Sequence, residues 1–177
     1  DVARHVAAVV SAPLEIVPGA HQALHPGRTA ELRSNGEHVG WAGELLPALA
    51  LELDLPRVVA VVELDLDALI ASAAESKPAT PIASMPAATQ DVSLVVSQSV
   101  RAGELQAVLL EGGGELLEHV ALIDDYRGAG IPDGSRSLTF ALRFRAADRT
   151  LTAAEATAAK QAATALAAER FGAVPRE

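Results

Sequence analysis

A chain of 177 residues, half of them apolar, with no Cys and a formal net charge of −9, has material for one or two small domains. Lack of Cys excludes disulfides, thiolate metal sites and thiol nucleophiles, and the acidic balance argues against nonspecific nucleic-acid binding through bulk charge. Aromatic residues make up only 3 % of the chain, so the core has to be built from Ala, Val and Leu, with Phe140, Phe144 and Phe171 as the large fillers.

The chain opens without an initiator Met inside a helical pattern, Val2 to Ser11, as expected of a piece of a longer protein. A short strand is expected from Glu15 to Val17. His25-Pro26-Gly27-Arg28 reads as a turn. Ala30 to Arg33 and Val39 to Ala42 read as a hairpin, with Ser34-Asn35-Gly36 as the turning residues. Gly43 to Pro47 opens a short helix to about Leu51. Val58 to Leu66 is a nearly continuous apolar run rich in Val, the pattern of a buried strand. Residues 71–90 are rich in Ala, Ser, Pro and Thr and have linker composition. They divide the chain into residues 1–70 and residues 91–177.

In the second part, Val92, Leu94 and Val96 fall on one face of a strand from Asp91 to Ser97. Leu105, Val108 and Leu109 keep helical spacing between Arg101 and Glu111, and Gly112-Gly113-Gly114 reads as the loop that stops the helix. A second strand runs from Leu116 to Tyr126. From Ser137 to Arg145, Leu138, Phe140, Leu142 and Phe144 point one way; Ser137, Thr139, Ala141, Arg143 and Arg145 point the other. Thr152-Ala-Ala-Glu155 is a capping box that starts an Ala-rich helix to about Phe171, ended by Gly172. Ala173 to Arg176 reads as a short last strand.

Strand, helix, strand, strand, helix, strand is the order of a ferredoxin-like βαββαβ domain in the α+β class. Two helices cover one face of a four-stranded antiparallel sheet. The other face carries the Ser, Thr and Arg side chains of the third strand, with the lone Tyr of the chain nearby. Four arginines and one Asp lie within residues 136–149, a basic stripe on an acidic protein. Such a face suits unpaired bases and phosphates.

Tyr126 is the candidate for stacking on a base; the plain alternative is an amphipathic Tyr at a strand end. Asp124 shares its face and can accept from a guanine edge, or be a turn acid. Arg143 and Arg145 are candidates for phosphate contacts, or solvated strand arginines. His21 and His25 have helical metal-ligand spacing, but Pro26 and Gly27 follow and no third ligand is evident, so no metal site is expected. Glu63, Asp65 and Asp67 alternate along a strand, a pattern that suits a cation site but is better read as a solvated strand end. The glycine run lacks the Lys-Ser/Thr of a phosphate loop, and no Ser or His sits in a nucleophile motif. No catalytic residue is expected in this chain. No apolar run is long enough to span a bilayer, and no signal peptide is evident.

An ordered set of motifs carries a resemblance over almost the whole chain. The residues are His25-Pro-Gly-Arg28, Gly40-Trp-Ala-Gly-Glu44-Leu, Glu63-Leu-Asp-Leu66, Pro86 with Asp91-Val-Ser-Leu-Val-Val96, Asp124-Asp-Tyr-Arg-Gly128, Gly134-Ser-Arg-Ser-Leu138 and Asp148-Arg-Thr-Leu-Thr152. Together they resemble the carboxy-terminal part of the bacterial phenylalanyl-tRNA synthetase beta subunit. The resemblance implies that residues 1–70 are the end of an inactive, class II synthetase-like α/β module. It implies that residues 91–177 are a ferredoxin-fold anticodon-binding domain for phenylalanine tRNA. Carried over by motif, Tyr126 would stack on the first anticodon base, and Asp124 and Ser137 would hydrogen-bond that guanine. Arg127, Arg136, Arg143 and Arg145 would position the RNA.

Met85 and Ile123 stand where Phe is common in the family. Asp125 stands where an apolar residue is usual and is expected to place a second negative charge beside Asp124. The resemblance further implies a cytoplasmic alpha2beta2 complex with the synthetase alpha subunit. ATP and Mg would act there, no cofactor would bind this part, and neither membrane nor DNA would be a partner. The competing expectation is a non-catalytic ferredoxin-like domain that docks a protein or a small ligand.

Overall fold

Leu138, Phe140, Leu142 and Phe144 are each fully buried, so the alternation along the third strand of the second part carries into the structure. The computed structural model describes residues 1–74 and 83–176. The chain forms two units, residues 1–80 and 81–177.

In the first unit, α1 (Val2–Val9) is followed by β1 (Glu15–Pro18), β2 (Leu24–Ser34), β3 (Glu37–Leu45), α2 (Pro47–Glu52), β4 (Ala60–Leu64) and α3 (Leu66–Ala71). The four strands form one antiparallel sheet in chain order. The hairpin turns on Asn35 and Gly36, both at positive φ, as a tight two-residue turn demands. Leu32, Val39 and Leu69 form the core with Ala3 and Ala7 of α1. Ala at these helix positions lets α1 lie close to the sheet.

Four expectations for this unit need correction. Gly43 to Leu45 do not open a helix; they end β3, where Gly43 pairs with Val61 and Glu44 with Ala60, and α2 starts only at Pro47, whose fixed φ suits a first helical position. His25-Pro26-Gly27-Arg28 is not a turn between elements; it lies inside β2, where the pairing with β3 slips between Leu24 and Thr29. That irregularity accommodates Pro26, which has no N–H to donate to a ladder. The run from Val58 to Leu66 is not a buried strand. Its strand spans only Ala60–Leu64 and, among the described residues, pairs with β3 alone. Val62 within this edge strand is exposed for want of a flanking strand on one side, and Val58 is exposed ahead of it. Glu63, Asp65 and Asp67 do not alternate along one strand. Glu63 lies in β4, whereas Asp65 caps α3 by accepting from the Ala68 N–H at 2.9 Å and Asp67 lies in the first turn.

The second unit contains β5 (Ala88–Ser97), α4 (Ala102–Gly113), a 3-10 turn (Gly114–Leu116), β6 (Leu117–Tyr126), β7 (Ser135–Phe144), α5 (Ala153–Phe171) and β8 (Val174–Pro175). The sheet order is β6-β7-β5-β8, antiparallel throughout. This is the expected βαββαβ arrangement. Val92, Leu94 and Val96 of β5, the apolar set of β7, and Leu105, Val108 and Leu109 of α4 form one core with Ala156, Ala163 and Ala167 of α5. Burying a side chain such as Phe140 contributes about 1.5–3 kcal/mol.

The capping box forms as its spacing requires. Thr152 accepts from the Glu155 N–H, and Glu155 accepts from the Thr152 N–H at 2.9 Å. Gly172 ends α5 in the left-handed region. The glycine run is not wholly a loop. Gly112 and Gly113 belong to α4, and only Gly114 ends it. A Cβ on Gly112 would lie 2.8 Å from Ala163 Cα, so this glycine permits the close approach of α4 and α5. The segment taken as linker is narrower than 71–90 at both ends: Ala71 closes α3 and Ala88–Gln90 begin β5. Pro78 and Pro81 lie outside the described residues.

Candidate nucleic-acid interface

Strict alternation along β6 would put Val120, Leu122, Asp124 and Tyr126 on one face. The structure separates them. Val120 lies opposite Leu142 and Leu122 opposite Phe140, the residues that face the helices. The register then shifts between Leu122 and Asp124, so Ile123 is an extra residue with no partner in β7. Past this β-bulge, Asp124 lies opposite Thr139 and Tyr126 opposite Ser137, on the sheet face away from the helices. A bulge of this kind re-aims the side chains that follow it. The candidate base-reading residues thus share a face with β7's polar positions, as expected, through an irregularity that the alternation does not display.

Tyr126 is 38 % exposed. Its hydroxyl donates to the Ala129 carbonyl at 3.3 Å. The chain curls back beneath that hydroxyl: a Cβ on Gly128 would lie 2.6 Å from the Tyr126 oxygen. Asp124 is exposed. In the row of Asp124, Ser93 of β5 and Thr139 of β7 share a hydrogen bond of 2.9 Å across the same face.

Ser137 departs from expectation. It sits on the face away from the helices, yet it is only 1 % exposed, because its neighbours across the strands are Tyr126 and Val95. Arg136 also departs. It is on the helix-facing side of β7, its side chain 11 % exposed, donating to the Val100 carbonyl at 2.5 Å and to Asp125 at 2.9 Å. Asp125 lies opposite Leu138, so its charge points away from the face of Asp124 rather than standing beside it. Hydrogen bonds from Arg127, then the positive charge of Arg136, hold the Asp125 carboxyl below its ordinary 3.8.

Arg145 is not on the exposed face of a strand. β7 ends at Phe144, the Arg145 N–H bonds the Leu116 carbonyl, and its guanidinium reaches the Met85 carbonyl and Glu118. Arg143 keeps the exposed face and pairs with Glu118 at 2.9 Å. Arg127 follows β6 and holds Asp125 through two hydrogen bonds. Each arginine expected to meet phosphates therefore already has a carboxylate partner in this unit.

One further arginine escaped the sequence reading. The Arg176 guanidinium lies over the Tyr126 ring, 5.1 Å from its centroid. The two residues are fifty positions apart, and no local pattern links a terminal Pro-Arg to a Tyr on another strand. Among the described residues, no group of three or more His, Asp or Glu side chains is placed to hold a metal ion. His21 packs on Trp41 and accepts from the Ala23 N–H. No helix among the described residues is long and apolar enough to cross a membrane.

The βαββαβ unit coincides with a family match. Residues 83–176 match the family described as ferredoxin-fold anticodon binding domain. The chain belongs to this anticodon-binding family. Residues 1–66 match a second model, the phenylalanyl tRNA synthetase beta chain CLM domain. The two matches fall in the order that the sequence motifs implied. Similar curated proteins are phenylalanine–tRNA ligase beta subunits. That of Leifsonia xyli is 63 % identical over 97 % of this chain and 20 % of its own length. That of Nocardia farcinica is 50 % identical over 97 % and 20 %, and that of Streptomyces avermitilis 46 % over 99 % and 22 %. The chain spans about a fifth of the length of these relatives. In the anticodon-binding unit, Tyr126, Asp124 and Ser137 come together at adjacent strand ends, whereas Arg136 and Arg145 serve ion pairs at its margins.

Proposed function

We propose that the second unit binds the anticodon of phenylalanine tRNA as part of a phenylalanine–tRNA ligase beta subunit. The observation that carries this reading is the bulge at Ile123, which turns Asp124 and Tyr126 onto the polar sheet face opposite Thr139 and Ser137, in a unit of the anticodon-binding family. Tyr126 stacks on the first anticodon base, and Asp124 with Ser137 hydrogen-bonds its guanine edge. Arg127 and Arg143, both half-exposed, approach phosphates that position the RNA without specifying it. Arg136 and Arg145 stiffen the strand ends from which these groups project.

The first unit serves as the end of the non-catalytic synthetase-like module. In the parent complex, aminoacylation with ATP and Mg takes place on the alpha subunit, in a cytoplasmic alpha2beta2 assembly. This chain contributes RNA binding and no chemical step.

A gel shift comparing the phenylalanine anticodon stem-loop with one of swapped anticodon tests the reading. Tighter binding to the cognate loop, weakening with salt, is expected. Equal binding to both, or to neither, favours a ferredoxin-like protein-interaction or ligand domain.

A further inference from the structure

Arg176 has a place in the sheet that makes it part of the same surface. β8 pairs with β5 through Leu94–Pro175 and Val95–Val174, and the Arg176 N–H donates to the Ser93 carbonyl at 2.9 Å. Continuing that register, Arg176, Ser93, Thr139 and Asp124 form one row across the four strands, on the face away from the helices. Ser93 and Thr139 make the floor of the row, and Asp124 and Arg176 stand at its two ends. From its end, Arg176 leans back across the sheet to the Tyr126 ring.

Two consequences follow from this geometry. The guanidinium occupies a face of the Tyr126 ring where a base would stack, at a cation–π distance. The ring that it covers is itself the cross-strand neighbour of the buried Ser137. Arg176 also differs from its neighbours in charge pairing. Arg127, Arg136, Arg143 and Arg145 each have a carboxylate partner, whereas among the described residues Arg176 is in no ion pair. Among the described residues its positive charge thus has no carboxylate partner, and the residue is exposed.

We propose that Arg176 is an RNA-binding residue that exchanges partners: it covers the Tyr126 ring in the free protein, then yields the ring to a base and takes a backbone phosphate. This rests on the anticodon reading of Tyr126. A guanidinium is suited to both positions, because it stacks on π faces and meets phosphate oxygens with a planar pair of donors.

The test uses the whole 177-residue chain and the phenylalanine anticodon stem-loop, with Arg176→Ala, Arg176→Gln and Arg176→Lys. Tyr126 is the only Tyr, so ring-labelled Tyr gives a single resonance set that reports the Arg176 contact directly. In the free protein, the Ala and Gln variants shift these ring signals. Both bind the stem-loop roughly tenfold more weakly at low salt, and the slope of log affinity against log salt falls by about 0.7, the loss of one single-strand phosphate contact. Arg176→Lys keeps the slope.

Wild-type affinity and slope in Arg176→Ala, while wild type binds the cognate loop, overturn this proposal and leave the anticodon reading intact. Tighter binding by Arg176→Ala with an unchanged slope also overturns it, reducing Arg176 to a cover. Failure of wild type to bind any anticodon loop overturns both.

Discussion

Tyr126 stands directly across from Ser137 in the β6–β7 ladder, and it does so because Ile123 is one residue too many for the pairing. Removing Ile123 restores a regular period of two from Leu122 onward, with Asp124 and Tyr126 still on the face away from the helices. Deletion of Ile123 is thus expected to keep cross-strand contacts between Tyr126 and Ser137 and to retain anticodon-loop binding. Nuclear Overhauser contacts between these two residues are the check. Their replacement by contacts from Tyr126 to Leu138 would show that the strand needs the extra residue to keep Tyr126 on this face.

Tyr126 offers a ring and a hydroxyl, and the two are separable. The hydroxyl bonds the Ala129 carbonyl at the long distance of 3.3 Å, while the ring supplies the stacking surface. Tyr126→Phe should bind the cognate stem-loop within a few-fold of wild type. Tyr126→Ala should lose about 1–3 kcal/mol of binding. Titrations of both variants decide; wild-type affinity in Tyr126→Ala removes the role assigned to the ring.

Gly112 and Gly103 both lie in α4, where Ala is intrinsically the better helix former. Their surroundings differ. A Cβ at Gly112 meets the backbone of α5 at 2.8 Å, whereas one at Gly103 meets nothing within 4 Å. Gly103→Ala should stabilise the second unit by about 0.4–1 kcal/mol, and Gly112→Ala should destabilise it by about 1–3 kcal/mol through overpacking. Urea denaturation of the two variants should give opposite signs.

The start of α5 has a charge-dependent lock. The Thr152 N–H, and after it the Arg149 guanidinium, hold the Glu155 carboxyl at about 2, against an ordinary 4.5. The folded state therefore binds this proton less readily than the unfolded chain. The stabilisation is fully present above the unfolded value and is lost as pH falls from about 5 towards 2. Asp125, held low by Arg127 and Arg136, adds a loss of the same sign. Thermal midpoints of wild type and Glu155→Gln should converge over that range, and a gap that persists at low pH contradicts the assignment. Thr152→Ala, which removes the cap oxygen, should cost about 0.5–2 kcal/mol at neutral pH.

Much of the second unit was legible because its signals are local. Four large apolar residues at every second position of β7, the Thr-x-x-Glu cap and Gly172 are read within a few residues of chain, and each forms as read. The first unit was less legible. The run from Val58 to Leu66 looks the same whether a strand has one sheet neighbour or two, and only the pairing of β4 with β3 alone distinguishes them.

The candidate site divides in the same way. The sequence by itself determined that Tyr126, Asp124 and Ser137 lie near adjacent strand ends of a βαββαβ domain, since hydrophobic period and motif order are properties of the chain. Tertiary structure alone decided which way they face and what they touch. A one-residue register shift reverses the face of every later side chain in a strand. Partners such as Arg136 for Asp125, or Arg176 for Tyr126, are chosen by the folding of distant segments onto one surface. That is why the candidate arginines looked interchangeable in the sequence, while in the folded unit Arg127, Arg136, Arg143 and Arg145 are held by carboxylates and Arg176 lies on the ring.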